Sequence, residues 1–204
     1  IYMIKQSFFF ISFLFLLLSS CSYISYSQVI PLIDKAIFGA DDIPLTQEFI
    51  SSKEYSFVKV ELGKSSVSIM TLRSIKEGVF EWISQTGERI YTYNGKVVKT
   101  EGLPFDTYIY SFRQKNFLQV SSSMRFHYYL QLYNPKAFVE QTSFISVIED
   151  SEDYLVLKEE VQTDGFKWNF SNKYSYNKLT QLPIETSQYI HPKLDPIVLT
   201  FIYK

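Results

Sequence analysis

From Phe57 to the end of the chain, apolar and polar residues alternate with a period of two, and short turn sequences punctuate the alternation. Val58, Val60 and Leu62 are interleaved with Lys59 and Glu61, and Gly63-Lys64-Ser65 then turns the chain into Val67–Ile75. Glu77-Gly78 turns into Val79–Ser84, Thr86-Gly87 into Arg89–Tyr93, and Asn94-Gly95 into Lys96–Thr100. Asn-Gly between two alternating segments is a strong hairpin signal, because both central residues of a type I′ turn need a positive φ. Strands joined in series by turns this tight make an antiparallel meander.

Beyond a less regular stretch, Leu103–Ser123, read as a loop or short helix across one end of the sheet, the alternation resumes. Phe126, Tyr128, Leu130 and Leu132 alternate with Arg125, His127, Tyr129 and Gln131. Ala137–Ile148, Tyr154–Gln162, Phe166–Tyr176, Leu182–Ile190 and Ile197–Tyr203 continue the pattern. The 16 Tyr and 18 Phe, together with Val, Ile and Thr, favour strands over helices. No repeat period and no interdomain linker is visible, so the expectation is an all-β single domain of about ten strands in a curved antiparallel meander sheet. Ahead of it, Val29, Leu32, Ile33, Ala36 and Ile37 fall at helical spacing within Gln28–Phe38, and Gly39 stops that short N-terminal helix. Thr46, followed by Gln47 and Glu48, can cap a second short helical turn.

The first residues have a different purpose. Lys5 gives a positive n-region, Phe8–Leu18 is an apolar h-region, and Leu18-Ser19-Ser20-Cys21 closes it with small residues before the chain's single cysteine. Phe8–Leu18 is about half the ~20 apolar residues a membrane-spanning helix requires. The expected division is therefore a lipoprotein signal at 1–20 starting from Met3, an acylated tether at 21–27 and one β-rich periplasmic domain at 28–204. With no second cysteine to share a disulfide, Cys21 is the expected lipid attachment point. Each buried acyl methylene contributes about 0.8 kcal/mol, so two or three chains anchor the protein durably. Ser22 is not the aspartate that retains lipoproteins at the inner membrane, and resemblance to other lipoproteins implies the periplasmic face of the outer membrane as the location. Ser22–Ser27 reaches about 20 Å at ~3.3 Å per residue, which holds the domain close to the lipid.

The residues Val79-Phe80-Glu81-Trp82-Ile83-Ser84, Gly87, and Tyr93 through Leu103 with its Asn94-Gly95-Lys96 turn, Thr100 and Gly102 resemble the signature of the YjbF/GfcB-type group 4 capsule lipoproteins. Trp168, Asn172, Tyr174, Gln188 and Pro192 resemble that family's closing motif. Lys96 stands where the family carries arginine, Ser175 where an aromatic is common, and the Asn177-Lys178 turn lacks the family's glycine. The resemblance implies a lipoprotein of a capsule or exopolysaccharide operon, encoded beside an outer-membrane β-barrel and a periplasmic accessory protein. It also implies an open half-barrel like that of lipoprotein carriers. Trp82, Asn94, Gly95, Lys96, Thr100, Gly102, Trp168 and Gln188 are thereby marked as a binding or structural motif.

Other chemistry finds little footing. A net charge of −1 and the lack of a basic run give no field for nucleic acid. Seven glycines show no phosphate-cradle spacing. His127 and His191 form no metal motif, no nucleophile elbow occurs, and neither a metal nor a cofactor other than the lipid on Cys21 is expected. A glycosidase would place two carboxyls about 5–9.5 Å apart, for which Glu81, Asp106 and the Glu149–Asp153 cluster are the candidates. Trp82 shares its strand face with Phe80, and Trp168 with Phe166 and Phe170, which favours core over sugar stacking. Lys96, Lys99 and Arg89 flank the hairpin and can meet an acidic glycan or a partner's carboxylates. The expected function is a non-enzymatic outer-membrane lipoprotein that assists polysaccharide export or assembly through protein partners. The alternative is a lipid or glycan carrier that uses the concave face of the sheet, which requires a sizeable cavity.

Overall fold

Residues 42–63, 66–110, 124–165 and 167–204 are described by the structure, a computed structural model, and they fall within the compact unit Ala40–Lys204. Cys21, the tether and the Gln28–Phe38 helix lie outside the described residues. The first described element is a short helix, α1 (Gln47–Ser51), begun as the sequence suggests: the Thr46 hydroxyl accepts the Phe49 amide at 3.1 Å.

Twelve strands follow: β1 (Phe57–Leu62), β2 (Ser66–Lys76), β3 (Val79–Ile83), β4 (Arg89–Tyr93), β5 (Lys96–Glu101), β6 (Thr107–Tyr110), β7 (Met124–Leu132), β8 (Ala137–Asp150), β9 (Tyr154–Thr163), β10 (Phe170–Asn177), β11 (Pro183–Gln188) and β12 (Ile197–Ile202). Each is antiparallel to its sequence neighbour, and β12 returns to pair with β1, with Val58 opposite Phe201 and Val60 opposite Leu199. The sheet is a closed up-and-down barrel.

This corrects the expectation of an open half-barrel of about ten strands. Alternation identifies a strand but says nothing of what its outer edge pairs with, and here the two outermost strands satisfy each other and leave no free edge. β6 was the strand hidden in the stretch read as loop or helix. Four residues long, it follows the turn around Gly102 and Pro104 and has too little sequence to show a period. Trp168 likewise precedes β10 rather than lying on it.

Four register shifts bend the wall. Arg73, Val98, Ile148 and Ile184 are the extra residues between β2 and β3, β4 and β5, β8 and β9, and β10 and β11. A bulge raises local twist and curvature, which lets a sheet close tightly. It also explains why Ile148 and Ile184 are exposed, since an extra residue breaks the inward phase of its strand.

Inward positions are mostly apolar. One cluster joins Val58, Val60, Met70, Trp82, Ile90, Leu199 and Phe201. A second joins Ile145, Leu155, Leu157, Tyr174 and Tyr176, and a third Leu130, Leu132 and Trp168. Outward positions carry Lys99, Glu140, Lys158, Glu160, Lys173 and Glu185. A lipid-facing barrel has the reverse arrangement, with an apolar outer band and a polar lumen, so the described wall is built to meet water. On the outside of β1, α1 lays Phe49 edge-on against Phe57 at 5.8 Å, and Lys59 pairs with Asp42 and with Glu61 at 3.0 Å.

His191 is fully buried, stacked on Phe105 at 4.7 Å, and its Nδ1 accepts the Lys193 amide at 3.1 Å. Burial, aided by the nearby Lys193 charge, lowers its pKa from the ordinary 6.5. Between that lowered value and 6.5 the unfolded chain binds a proton that the folded chain refuses, so stability is full above pH 6.5 and falls as the pH drops through this window. Thermal melts of wild type and His191→Gln from pH 7.5 to 5 should show the variant losing less of its midpoint on acidification. Parallel curves would contradict the assignment.

Candidate functional site

Four of the motif residues picked out in sequence, Asn94, Gly95, Lys96 and Gln188, converge in the barrel interior. Asn94 and Gly95 have φ of 47° and 77°, as a type I′ turn demands. The hairpin tip they form lies inside the barrel: Lys96, Val97 and Val98 are all buried. Tyr176 donates its hydroxyl to the Asn94 carbonyl at 2.7 Å, and Gln188 Nε2 donates to the Gly95 carbonyl at 2.7 Å. The Gln188 Oε1 accepts the Val97 amide at 2.9 Å. Gln188 thus acts as one more strand partner for β5 from across the lumen.

Lys96, expected at the surface, is instead 3% exposed and ion-paired with Glu159, itself 1% exposed. Its ammonium also lies 3.2 Å from the Tyr128 hydroxyl and 4.4 Å from that ring's centre. The hairpin carries residue 96 inward, which alternation alone does not reveal. Ser143 donates to Glu159 Oε1 at 2.6 Å, while Tyr174 and Asn172 donate to Oε2 at 2.6 and 2.8 Å. Burial pushes the Glu159 carboxyl up, but Lys96, Ser143 and Tyr174 together hold it below its ordinary value. Burial pulls Lys96 down, with Glu159 opposing. Burial also raises Tyr128 and Tyr174 well above the usual phenol range, so both hydroxyls stay neutral, Tyr174 donating to Glu159 and Tyr128 accepting from Lys96. A carboxylate with this many donors has its lone pairs satisfied, the condition under which a buried charge is tolerated.

The other marked residues also build structure. Trp82 is fully buried, stacked on Phe80 at 6.0 Å and donating Nε1 to Thr92 at 2.9 Å. Trp168 packs on Phe170 at 4.4 Å, and its carbonyl accepts Thr163 Oγ1 at 2.8 Å. Thr100 and Gly102 hold the β5–β6 turn: Asp106 accepts the Thr100 hydroxyl at 3.0 Å and the amides of Gly102 and Leu103 at 2.9 and 3.0 Å. Glu159, Tyr128 and Ser143, which the motif does not include, complete the cluster with Asn172 and Tyr174 of the closing motif. Glu159 had a readable signal, because it shares the apolar phase of its strand with Leu155, Leu157 and Val161.

Beside this network the space lined by Lys96, Tyr128, Gln141, Asn172 and Gln188 measures about 20 Å³, room for about one water. Larger spaces among the described residues include a 450 Å³ groove along β2–β4, a 590 Å³ groove beside β5, β6 and the β7–β8 turn, and a 530 Å³ space between α1 and the β2–β3 region. Between the first two lies a charged and aromatic cluster. The Tyr91 hydroxyl sits 3.0 Å from Glu101 and 3.5 Å from Glu81, and Arg89 reaches both carboxylates at 3.2 and 3.7 Å. A glycosidic general acid needs a raised pKa; the Lys99 ammonium, with Tyr91 and Arg89, holds Glu101 below the usual carboxylate range. Asp106 is occupied by its turn, and the Glu149–Asp153 cluster spans the exposed end of β8 and the turn into β9. Among the described residues no group of three His, Cys, Asp or Glu is placed to hold a metal ion.

The described residues form a water-facing antiparallel barrel with an inward-turned hairpin and grooves on its outer wall. The chain belongs to the group 4 capsule polysaccharide lipoprotein family, gfcB/YjbF, whose family model matches residues 32–202. The crystal structure of the hypothetical lipoprotein YmcC from Escherichia coli (K12) shares the fold: TM-score 0.69 at 19% identity, over 90% of this chain and 98% of that one. No functionally curated protein matches the sequence.

Proposed function

We propose that this protein is a non-catalytic accessory of capsule or exopolysaccharide export or assembly. A lipid on Cys21 anchors it at the periplasmic face of the outer membrane, and it works through contacts with an outer-membrane β-barrel and a periplasmic accessory protein. The observation that carries the reading is membership in a capsule polysaccharide lipoprotein family across residues 32–202. The packing of the described residues supports a surface role over the carrier alternative, because an acyl chain or sugar would need a cavity of some 300 Å³ or more and the inner space lined by Lys96, Tyr128 and Gln188 is about 20 Å³.

Deleting the gene should reduce surface polysaccharide, measured by a glycan-specific stain on intact cells, and plasmid-borne wild type should restore it. Unchanged polysaccharide in the deletion strain would contradict the function. Cys21→Ala should accumulate as an unacylated precursor that retains its signal and does not reach the outer membrane. Normal processing and normal fractionation of that variant would contradict lipid anchoring.

A further inference from the structure

The outer wall carries a continuous row of polar and aromatic side chains across its strands. Across six neighbouring strands the register places Glu81 beside Tyr91, Tyr91 beside Lys99, Lys99 beside Tyr108, Tyr108 beside Gln131, and Gln131 beside Phe138. At ~4.8 Å between strands, the row is about 24 Å long and runs across the strands. Its rings are held in place: Lys99 Nζ lies 5.1 Å from the Tyr91 ring centre and 5.8 Å from that of Tyr108. Tyr110 meets Tyr108 at 4.2 Å and Phe138 at 5.6 Å, and its hydroxyl donates to Gln131. Tyr129 lies nearly parallel to Phe138, 5.5 Å apart at 11°, although the two are 42% and 62% exposed.

Exposed aromatic rings on a water-facing wall mark a binding surface, and the spacing here favours one occupant. Flat apolar faces alternate strand by strand with a carboxylate, an ammonium and an amide, the pattern that complements a sugar chain with its apolar ring faces and hydroxyl rims. A lipid surface asks for an unbroken apolar patch, and Glu81, Lys99 and Gln131 interrupt this one. The groove at the β2–β4 end is lined by Arg73, Lys76 and Arg89 against a single carboxylate, Glu81. That surplus suits an anionic group of the polymer at this end, whereas the second groove sets Lys99 against Glu101 and Asp106 and suits its neutral, hydroxyl-bearing sugars.

We propose that the outer face of β3–β8 binds an extended acidic polysaccharide, which crosses the strands along this row with sugars seated in the 450 and 590 Å³ grooves. The proposal rests on the polysaccharide role above and adds direct recognition of the glycan by this chain.

The test titrates the full acylated protein, in detergent, with surface polysaccharide purified from its own bacterium, using neutral dextran as comparator. Wild type should bind the polysaccharide and not dextran, with affinity falling as salt rises. Tyr129→Ala/Phe138→Ala removes two outward rings and should weaken binding at least about tenfold while the circular-dichroism spectrum stays that of the folded barrel. Arg73→Ala/Lys76→Ala should weaken binding and flatten the salt dependence. No binding by wild type, equal binding by both variants, or equal binding of dextran would overturn the proposal. So would loss of binding to phosphatidylglycerol vesicles, rather than to polysaccharide, in the aromatic variant. In the deletion strain the aromatic variant should restore less surface polysaccharide than wild type. Full restoration with undiminished binding would sink the glycan face while leaving the export role intact, whereas a deletion without phenotype would sink the export role itself.

Discussion

Glu159→Ala should cost about 3–5 kcal/mol of folding stability, because it strands a buried Lys96 ammonium without its counter-ion. The same change leaves the hydroxyls of Ser143 and Tyr174 and the amide of Asn172 without the acceptor they share, and each unsatisfied buried donor adds about 1–3 kcal/mol. Part of that loss is recoverable as water enters the space left behind, so the total stays within the range for a broken buried pair. Lys96→Met/Glu159→Gln removes both charges and keeps an acceptor, and should lose roughly half as much as Glu159→Ala alone, or less. Urea denaturation with a common m-value measures both. A Glu159→Ala midpoint within experimental error of wild type would mean that the pair does not hold the hairpin in the lumen.

The second large effect is expected at Gly95. Its φ of 77° is unfavourable for any residue with a Cβ, and an added Cβ would lie 2.9 Å from Pro183 Cβ and 3.1 Å from Thr186 Cγ2. The left-handed conformation costs about 1–2 kcal/mol, and overpacking against β11 adds about 1–3 kcal/mol. Gly95→Ala should therefore destabilise by about 2–5 kcal/mol. Gly87, with φ of 99° and nothing within 4 Å of an added Cβ, is the internal control. Gly87→Ala should show the conformational cost alone, about 1–2 kcal/mol. Equal losses at the two glycines would mean that the tip does not press on β11.

The two variants bear on how much of this molecule could be read from sequence. The hairpin itself was legible, because Asn94-Gly95 between alternating strands admits few other conformations. Most strands and the core position of Trp82 were legible for the same local reason. Closure of the sheet was not, since pairing between β1 and β12 joins residues at opposite ends of the domain and leaves no local trace. Nor was the direction of the hairpin. Lys96 follows a turn and looks like an exposed charge until Glu159, 63 residues later, is brought beside it. Gln188, marked by resemblance, gained its physical reason only when it was found bonded to Val97, 91 residues away. The outer row was hidden because its members come from six strands, and β6, which supplies Tyr108 and Tyr110, was too short to recognise. Tyr129 and Gln131 were placed on one strand face, but a face is not a surface until the neighbouring strands are known.

The family motif therefore has a physical meaning different from a contact surface. Asn94, Gly95, Lys96 and Gln188 spend their polar groups on one another and on Glu159 and Tyr176. Thr100 and Gly102 spend theirs on the Asp106 turn. What these residues provide is a shut interior and a rigid wall, and the chemistry available to a partner or a polymer lies on the side they leave exposed.

Native-state hydrogen exchange of the full lipoprotein tests this most directly. With the lumen plugged and the barrel closed, the Val97 amide and the ladder amides between β1 and β12 should exchange only through global unfolding, with the same opening free energy as the most protected amides of the core. Exchange of Val97 or of the β1–β12 ladder by a local opening several kcal/mol below that level would reveal a barrel that opens, as a carrier must, and would contradict the account.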